Sequence, residues 1–297
     1  MKESGSGDGR APTRRGNSTP RRVVQVRVRD EGPAVTTRRD ALATEEPLEI
    51  RIGWPGRPAQ RVVVTLRTPG HDFELAAGFL HNEGLISPHG HIHAIAYCND
   101  HTLAPEEELN VVTVELSGPP LHRPDARYDG ATAGSSACGV CGKQSIGDAL
   151  ATTGPLPVAG PPAPIDPAVI AALPDRVRDA QKVFSLTGGL HAAALCAEDG
   201  TPLAVREDVG RHTAVDKVVG SRVLAGVGTA APVLWVSGRI GFELAQKAVA
   251  AGVRVIVAVG APSSLAVELA DASGLCMVGF VREDRFVVYT EPAYVGV

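Results

Sequence analysis

The chain has 297 residues, 44% of them apolar, and a formal net charge of −4. That length admits one large domain or two ordinary ones, and the charge argues against a general nucleic-acid binder, whose footprint is a basic domain or stripe. No run approaches the roughly 18 apolar residues of a membrane span, and five cysteines, an odd number at low density, suit reduced thiols in the cytoplasm better than a secreted disulfide scaffold.

Residues 1–20 are rich in Gly, Ser, Pro and Arg, and are expected to be a disordered basic tail. No apolar stretch follows Arg14-Arg15 or Arg21-Arg22, so the central part of a secretory signal is missing. Alternation then predicts strands over 23–28, 48–52, 61–66 and 111–116. A helix is expected over 73–80, with Asp72 placed to cap it. Residues 21–135 thus read as a small α+β domain. The Gly/Ala/Ser stretch Gly130–Ala137 has little to bury and reads as a loop. A connector with six prolines follows over 154–167.

From there the pattern is regular. A helix is expected over 168–180, with a break or kink at Pro174. Strands are expected over 192–196, 203–206, 233–237, 253–259, 277–281 and 286–290, and helices over 213–219, 242–251 and 264–272. Strands alternating with helices predict an α/β layered sheet over 136–297.

Three segments carry candidate chemistry. Cys138-Gly139-Val140-Cys141 places two sulfurs close enough to bridge, to share a metal or to pass sulfur between them, and Lys143 nearby favours a thiolate. A zinc site needs four ligands, and Cys98, Cys196 and Cys276 are scattered singly. Cys196 and Cys276 sit at strand positions, where a free cysteine acts as a small apolar residue. The motif by itself leaves sulfur or redox chemistry, metal binding and a structural role open. The second segment, Arg206-Glu207-Asp208-Val209-Gly210-Arg211-His212-Thr213-Ala214-Val215-Asp216-Lys217, lies between a strand and a helix, where α/β sheets present ligands; the plain alternative is a solvated turn with a helix cap. Ser237-Gly238-Arg239-Ile240-Gly241 repeats that placement, with glycines for close approach and Arg239 for a phosphate. Third, Gly279-Phe280-Val281-Arg282-Glu283-Asp284-Arg285 reads as a hairpin between two strands.

In combination these segments resemble the FdhD family: Cys138-Gly-Val-Cys-Gly142, Leu186-Thr-Gly-Gly-Leu-His-Ala-Ala-Ala194, Glu207-Asp-Val-Gly-Arg-His212 with Asp216-Lys217, Leu265-Ala-Val-Glu268, and Gly279-Phe280 with Arg285 and Val288-Tyr-Thr290. Glu45-Glu-Pro-Leu48, Thr68-Pro-Gly70 and Ala77-Gly-Phe-Leu80 with Glu83-Gly84 extend the likeness from about residue 23 to the end. The resemblance implies a sulfurtransferase required for active formate dehydrogenase. It would take sulfur from a cysteine desulfurase as a cysteine persulfide and pass it to the molybdenum bis(molybdopterin guanine dinucleotide) cofactor before insertion. Cys138 would bear the persulfide and Cys141 would assist. Phe280, Val281, Arg282, Glu283, Asp284 and Arg285 would line the site of that guanine-nucleotide-containing acceptor. The implied fold of 136–297 is cytidine-deaminase-like, and the implied assembly a homodimer; the formate dehydrogenase catalytic subunit is the implied client, and neither a membrane nor nucleic acid is an expected partner.

Arg211, Lys217 and Arg239 add further candidate phosphate grips. A zinc deaminase needs H-x-E and P-C-x-x-C on successive helices. His212-Thr213-Ala214 and Ser237-Gly238-Arg239-Ile240 lack the glutamate and both thiolates, so no catalytic metal is expected. A non-catalytic chaperone that binds the cofactor is the alternative.

Overall fold

The computed structural model describes residues 16–30, 32–87, 91–98, 109–122, 164–229 and 231–296. Its first hairpin joins β1 (Ser18–Arg27) to β2 (Ala34–Ala43), antiparallel, with Val26 opposite Val35. β1 therefore begins inside the stretch expected as tail, and β2 is a strand that its Thr-Thr-Arg-Arg-Asp sequence did not advertise.

Strict alternation marks the next sheet. In β3 (Glu46–Trp54), Leu48, Ile50 and Ile52 are fully buried, and Glu49 and Arg51 point the other way. β4 (Arg57–Arg67) folds back on β3, while β6 (Val111–Leu116) runs parallel on its other side, placing Val112 beside Ile50 and Val114 beside Ile52. β5 (Ile92–Tyr97) completes the order β4-β3-β6-β5.

The helix α1 (Asp72–Asn82) covers this sheet with Leu75, Ala76, Ala77 and Leu80. Asp72 does not cap it. The cap position is His71, in a left-handed conformation with no side-chain cap bond. Asp72 is buried and accepts two hydrogen bonds from Arg67 at 3.1 Å and one from Tyr97 Oη at 2.9 Å. The buried guanidinium recruits the carboxylate, because either charge left alone would be costly.

The second sheet has order β12-β11-β10-β9-β7-β8. Before it come α2 (Pro167–Arg178) and the short α3 (Lys182–Thr187); α2 runs unbroken through Pro174. The lost N–H costs one bond to the Ile170 carbonyl, which burial of Ile170, Leu173 and Val177 offsets. β7 (His191–Cys196) and β8 (Pro202–Asp208) form a hairpin, and α4 (Arg211–Ala225) follows. Then β9 (Val233–Val236), α5 (Phe242–Ala250), β10 (Val255–Ala258), α6 (Ser264–Ser273) and β11 (Cys276–Gly279) form two parallel crossovers. β12 (Val287–Thr290) returns antiparallel. β9, β10 and β11 are buried on both faces, as parallel strands under helices must be.

One face of this sheet, with Leu234, Val236, Ile256 and Met277, packs on α4, α5 and α6 and is continuous with the core under α1. The other, with Trp235, Val257 and Val278, packs on α2 and Val295. Cys196 and Cys276 belong to this second face, and burial pushes both thiols up to about 12. They are the inert apolar cysteines expected.

The two sheets meet where α1 crosses α4. A Cβ built on Gly78 would lie 1.8 Å from the Asp216 carbonyl oxygen, and one on Gly220 the same distance from that of Glu74. Only glycine at both positions lets the backbones touch. Beside this crossing, Lys247 Nζ reaches Asp216 at 2.7 Å, and Asn82 donates to the same oxygen at 2.7 Å. Burial alone would lower the Lys247 pKa, but the charges of Asp216 and Glu83 outweigh it and raise it.

Candidate functional site

Asp208 and Lys217 organise the segment between β8 and α4. Both are buried, with Nζ 2.6 Å from Oδ2. Asp208 also accepts from Thr68 N, Gly210 N and Thr213 Oγ1, and Lys217 donates to the Thr68 carbonyl at 2.8 Å. The charges are matched and both groups are hydrogen-bonded, as burial requires. Lys217 is therefore not a phosphate grip; its helix turns it into the interface with the Thr68 loop. Glu207, its neighbour in sequence, accepts from the N–H groups of Val183 and Phe184 at 3.0 and 2.7 Å and so caps α3. The acidic half of this segment is structural, and Arg211 and His212 are what it presents.

They are presented on one edge of the six-stranded sheet. β8, β9, β10 and β11 end there, and β7 and β12 start there. Strand C-termini of open α/β sheets are the usual place for ligands. Three glycines cross the edge in a row. Gly260 N donates to the Gly238 carbonyl at 3.2 Å, and Phe280 N, just past Gly279, to the Gly260 carbonyl at 3.1 Å. A Cβ on Gly260 would sit 2.8 Å from the Gly238 oxygen, and one on Gly279 3.1 Å from Pro262 and Tyr289. The row is bare backbone because nothing larger fits.

Side chains flank it at both ends. A Cβ on Gly238 would meet the His191 ring at 3.3 Å and Arg211 Cδ at 3.6 Å. Ser237 Oγ accepts from Ala192 N at 2.9 Å and lies 3.4 Å from His191 Nδ1. Burial, and then the charges of Arg211 and His212, lower the His191 pKa. His212 Nε2 lies 2.8 Å from Glu243 Oε2, tying the first turns of α4 and α5 together. At the other end Phe280 holds φ = 54° and is 44% exposed. A left-handed aromatic residue costs on the order of 1–3 kcal/mol and persists only where its surroundings impose it. Here β11 must turn sharply into the loop, which Arg282 N closes on the Arg285 carbonyl at 2.8 Å.

Of the six residues read as lining the acceptor site, Phe280, Arg282, Glu283, Asp284 and Arg285 are exposed, and Val281 is buried in the core. Arg239 bends over Gly260. Arg211, Arg239, Arg282 and Arg285 form no carboxylate ion pair among the described residues. Cys138, Cys141 and Gly130–Ala137 lie outside the described residues. No group of three or more His, Cys, Asp or Glu side chains among the described residues is placed to hold a metal, and no described helix is long and apolar enough to cross a membrane. Sequence reasoning gave no chemical role to His191, quoted only within the run Leu186–Ala194, or to Glu243, set at the start of an ordinary helix.

The profile of the FdhD/NarQ family matches residues 43–295. The chain belongs to the FdhD/NarQ family. It is 50% identical over 276 residues to the sulfur carrier protein FdhD of Streptomyces coelicolor, covering 92% of this chain and 94% of that one. A protein of the same name from Mycobacterium tuberculosis is 48% identical over 86% of this chain and 92% of its own length. Among solved structures, a formate dehydrogenase accessory protein from Desulfotalea psychrophila superposes with a TM-score of 0.64 at 22% identity, covering 93% of this chain and 99% of the other; that likeness speaks for the fold.

Proposed function

We infer that the chain carries sulfur for the activation of formate dehydrogenase. The observation that carries this reading is the set of FdhD/NarQ relatives named sulfur carrier proteins, at about half identity over almost the whole of both chains. The name of the Desulfotalea protein supplies the link to formate dehydrogenase. In this reading the Cys138 thiolate attacks the outer sulfur of a persulfide on a cysteine desulfurase. One S–S bond forms as another breaks, the donor cysteine leaves as thiolate, and no net oxidation occurs. Cys141 assists release: its attack on Cys138 Sγ expels hydrosulfide and leaves a disulfide, which a dithiol reductant reopens.

The acceptor proposed is the molybdenum bis(molybdopterin guanine dinucleotide), bound as substrate. Its pyrophosphates and guanines need cations, bare backbone and flat apolar surface, and the glycine row with its flanking arginines and exposed Phe280 offers all three. The layering of residues 136–297 on a cytidine-deaminase-like plan, a homodimeric assembly and a cytoplasmic location complete the proposal. The experiment is incubation of the purified protein with a cysteine desulfurase and L-cysteine, followed by mass analysis of the Cys138 peptide. One added sulfur, lost on thiol reduction and absent from Cys138→Ala, is expected. Activation of formate dehydrogenase with Cys138 never sulfurated would replace this reading with that of a cofactor-binding chaperone.

A further inference from the structure

We propose that the face of the β1–β2 hairpin bearing Val24, Val26 and Val35 docks on the body of a second copy of this chain. The inference rests on the homodimeric reading and names the surface that holds the two copies together. Among the described strands, β1 and β2 pair only with each other. The hairpin is fastened at its open end, where Thr44 N donates to the Asn17 carbonyl at 3.1 Å, the Thr19 and Thr44 hydroxyls lie 3.1 Å apart, and α3 packs on β2. A two-stranded hairpin on its own is marginal in water. This one nevertheless leaves its valines uncovered: Val24, Val26 and Val35 are 64%, 55% and 62% exposed. Val26 stands opposite Val35, and Val24 is two residues before Val26, so the three share one face. On that same face Arg22 stands directly opposite Arg39, a like-charge pair that costs stability until an acidic group meets it.

Charge names the occupant. Residues 18–43 carry six arginines against three acidic residues, whereas residues 44–297 carry 19 Lys and Arg against 28 Asp and Glu. Such an arm is repelled by a second arm and attracted by a second body. The body also has an apolar seat to offer: β4 exposes Val64 and Leu66, whose cross-strand neighbours Glu49 and Pro47 lie on the face of the sheet turned away from α1. Area agrees. Two ten-residue strands make a face roughly 34 Å long and 10 Å wide. Two arms exchanged reciprocally bury roughly 1,400 Å² in all, within the range of a stable interface, and reciprocal exchange closes as a two-fold dimer.

The test is sedimentation equilibrium of the full chain. Wild type is expected as a dimer that loosens as salt is raised, because exposed charges contribute. Val24→Asp with Val26→Asp should raise the dimer dissociation constant roughly 100-fold or more, as when central apolar anchors are lost, with an unchanged circular dichroism spectrum. Arg22→Glu with Arg39→Glu should weaken the dimer as well. Should these variants fail to fold, hydrogen exchange of the wild type still answers: amides of residues 18–43 should be protected in the dimer and lose that protection on dilution to monomers. A folded Val24→Asp, Val26→Asp variant that dimerises as tightly as wild type, or hairpin exchange that ignores dilution, moves the interface off the hairpin and leaves the homodimeric reading standing. A monomeric wild type removes that reading too, and its sedimentation with phosphatidylglycerol vesicles would make the hairpin a lipid-binding arm instead.

Discussion

Gly78 and Gly220 face each other across α1 and α4 with no room for a methyl group on either. Alanine at one position must drive the two helix backbones apart, and everything packed around them moves. We expect Gly78→Ala and Gly220→Ala each to cost about 3 kcal/mol or more, seen as a lower denaturant midpoint or loss of soluble protein. Gly118→Ala, where a Cβ meets nothing within 4 Å, is the control and should be within about 0.5 kcal/mol of wild type.

Lys217→Met tests the buried pair with Asp208. It keeps the stem and leaves the carboxylate without its cation, a loss of about 3–5 kcal/mol. Because Asp208 also holds Gly210 and Thr213, nucleotide binding should weaken along with stability. A stable variant with unchanged binding would show the pair to be dispensable.

Acid should act in two steps. Burial lowers the pKa of His81 and, together with Arg211 and His212, that of His191 below the usual 6.5. The unfolded chain then binds more protons than the folded one, so stability falls as pH drops below about 6.5. Glu74 acts further down: burial works against its ionisation, but hydrogen bonds from Arg206 and His71 prevail and hold it at about 2, against 4.5 unfolded. Its contribution is present above 4.5 and lost as pH falls towards 2. Melting temperatures between pH 8 and pH 5 should decline less in His81→Gln than in wild type. A parallel decline in both would exclude His81 as a source.

Cysteine chemistry should divide by location. Cys138→Ala is expected to abolish formate dehydrogenase activation without lowering the melting temperature, and Cys141→Ala to reduce activation less. Cys196→Ala and Cys276→Ala should transfer sulfur normally and lose about 1–2 kcal/mol of stability from the small cavities left. With thiols held near 12, neither should react with iodoacetamide in the native protein.

Guanine nucleotide should raise the melting temperature at millimolar concentration, and Arg282→Ala with Arg285→Ala should lessen that protection. The Arg282 guanidinium already donates to the Val259 and Val281 carbonyls, so its loss also loosens the turn. A double variant that melts like wild type without ligand but gains as much from GDP would move the nucleotide away from Phe280.

The parallel strands were legible because Val233–Val236 and Val255–Ala258 are continuous apolar runs between helical patterns, and β3 because it alternates strictly. β2 and β5 were not, since nearly every side chain of β2 is exposed or half-exposed and β5 carries His93 on its outer side. Asp72 looked like a cap because local spacing cannot reveal Arg67, which reaches it across a strand–helix turn. Lys217 looked like a ligand contact for the same reason: its partner Thr68 is 149 residues away in sequence. At the site, glycine spacing and strand ends marked the rim, while His191 and Glu243 acquire meaning only when β7, β9 and two helix starts converge.

The shared core has a consequence for how the protein comes apart. Trp54 lies on β3 and Trp235 on β9, one in each sheet, and these are the two tryptophans of the chain. Because α1 and α4 meet backbone to backbone and Thr68 bonds to Asp208 and Lys217, neither sheet has a finished surface to retain once the other is gone. Cooperativity should therefore extend across both: in Trp54→Phe and in Trp235→Phe, fluorescence of the remaining tryptophan should share its urea midpoint with the circular dichroism of that same variant, with a single slope, rather than a sequence of two melts.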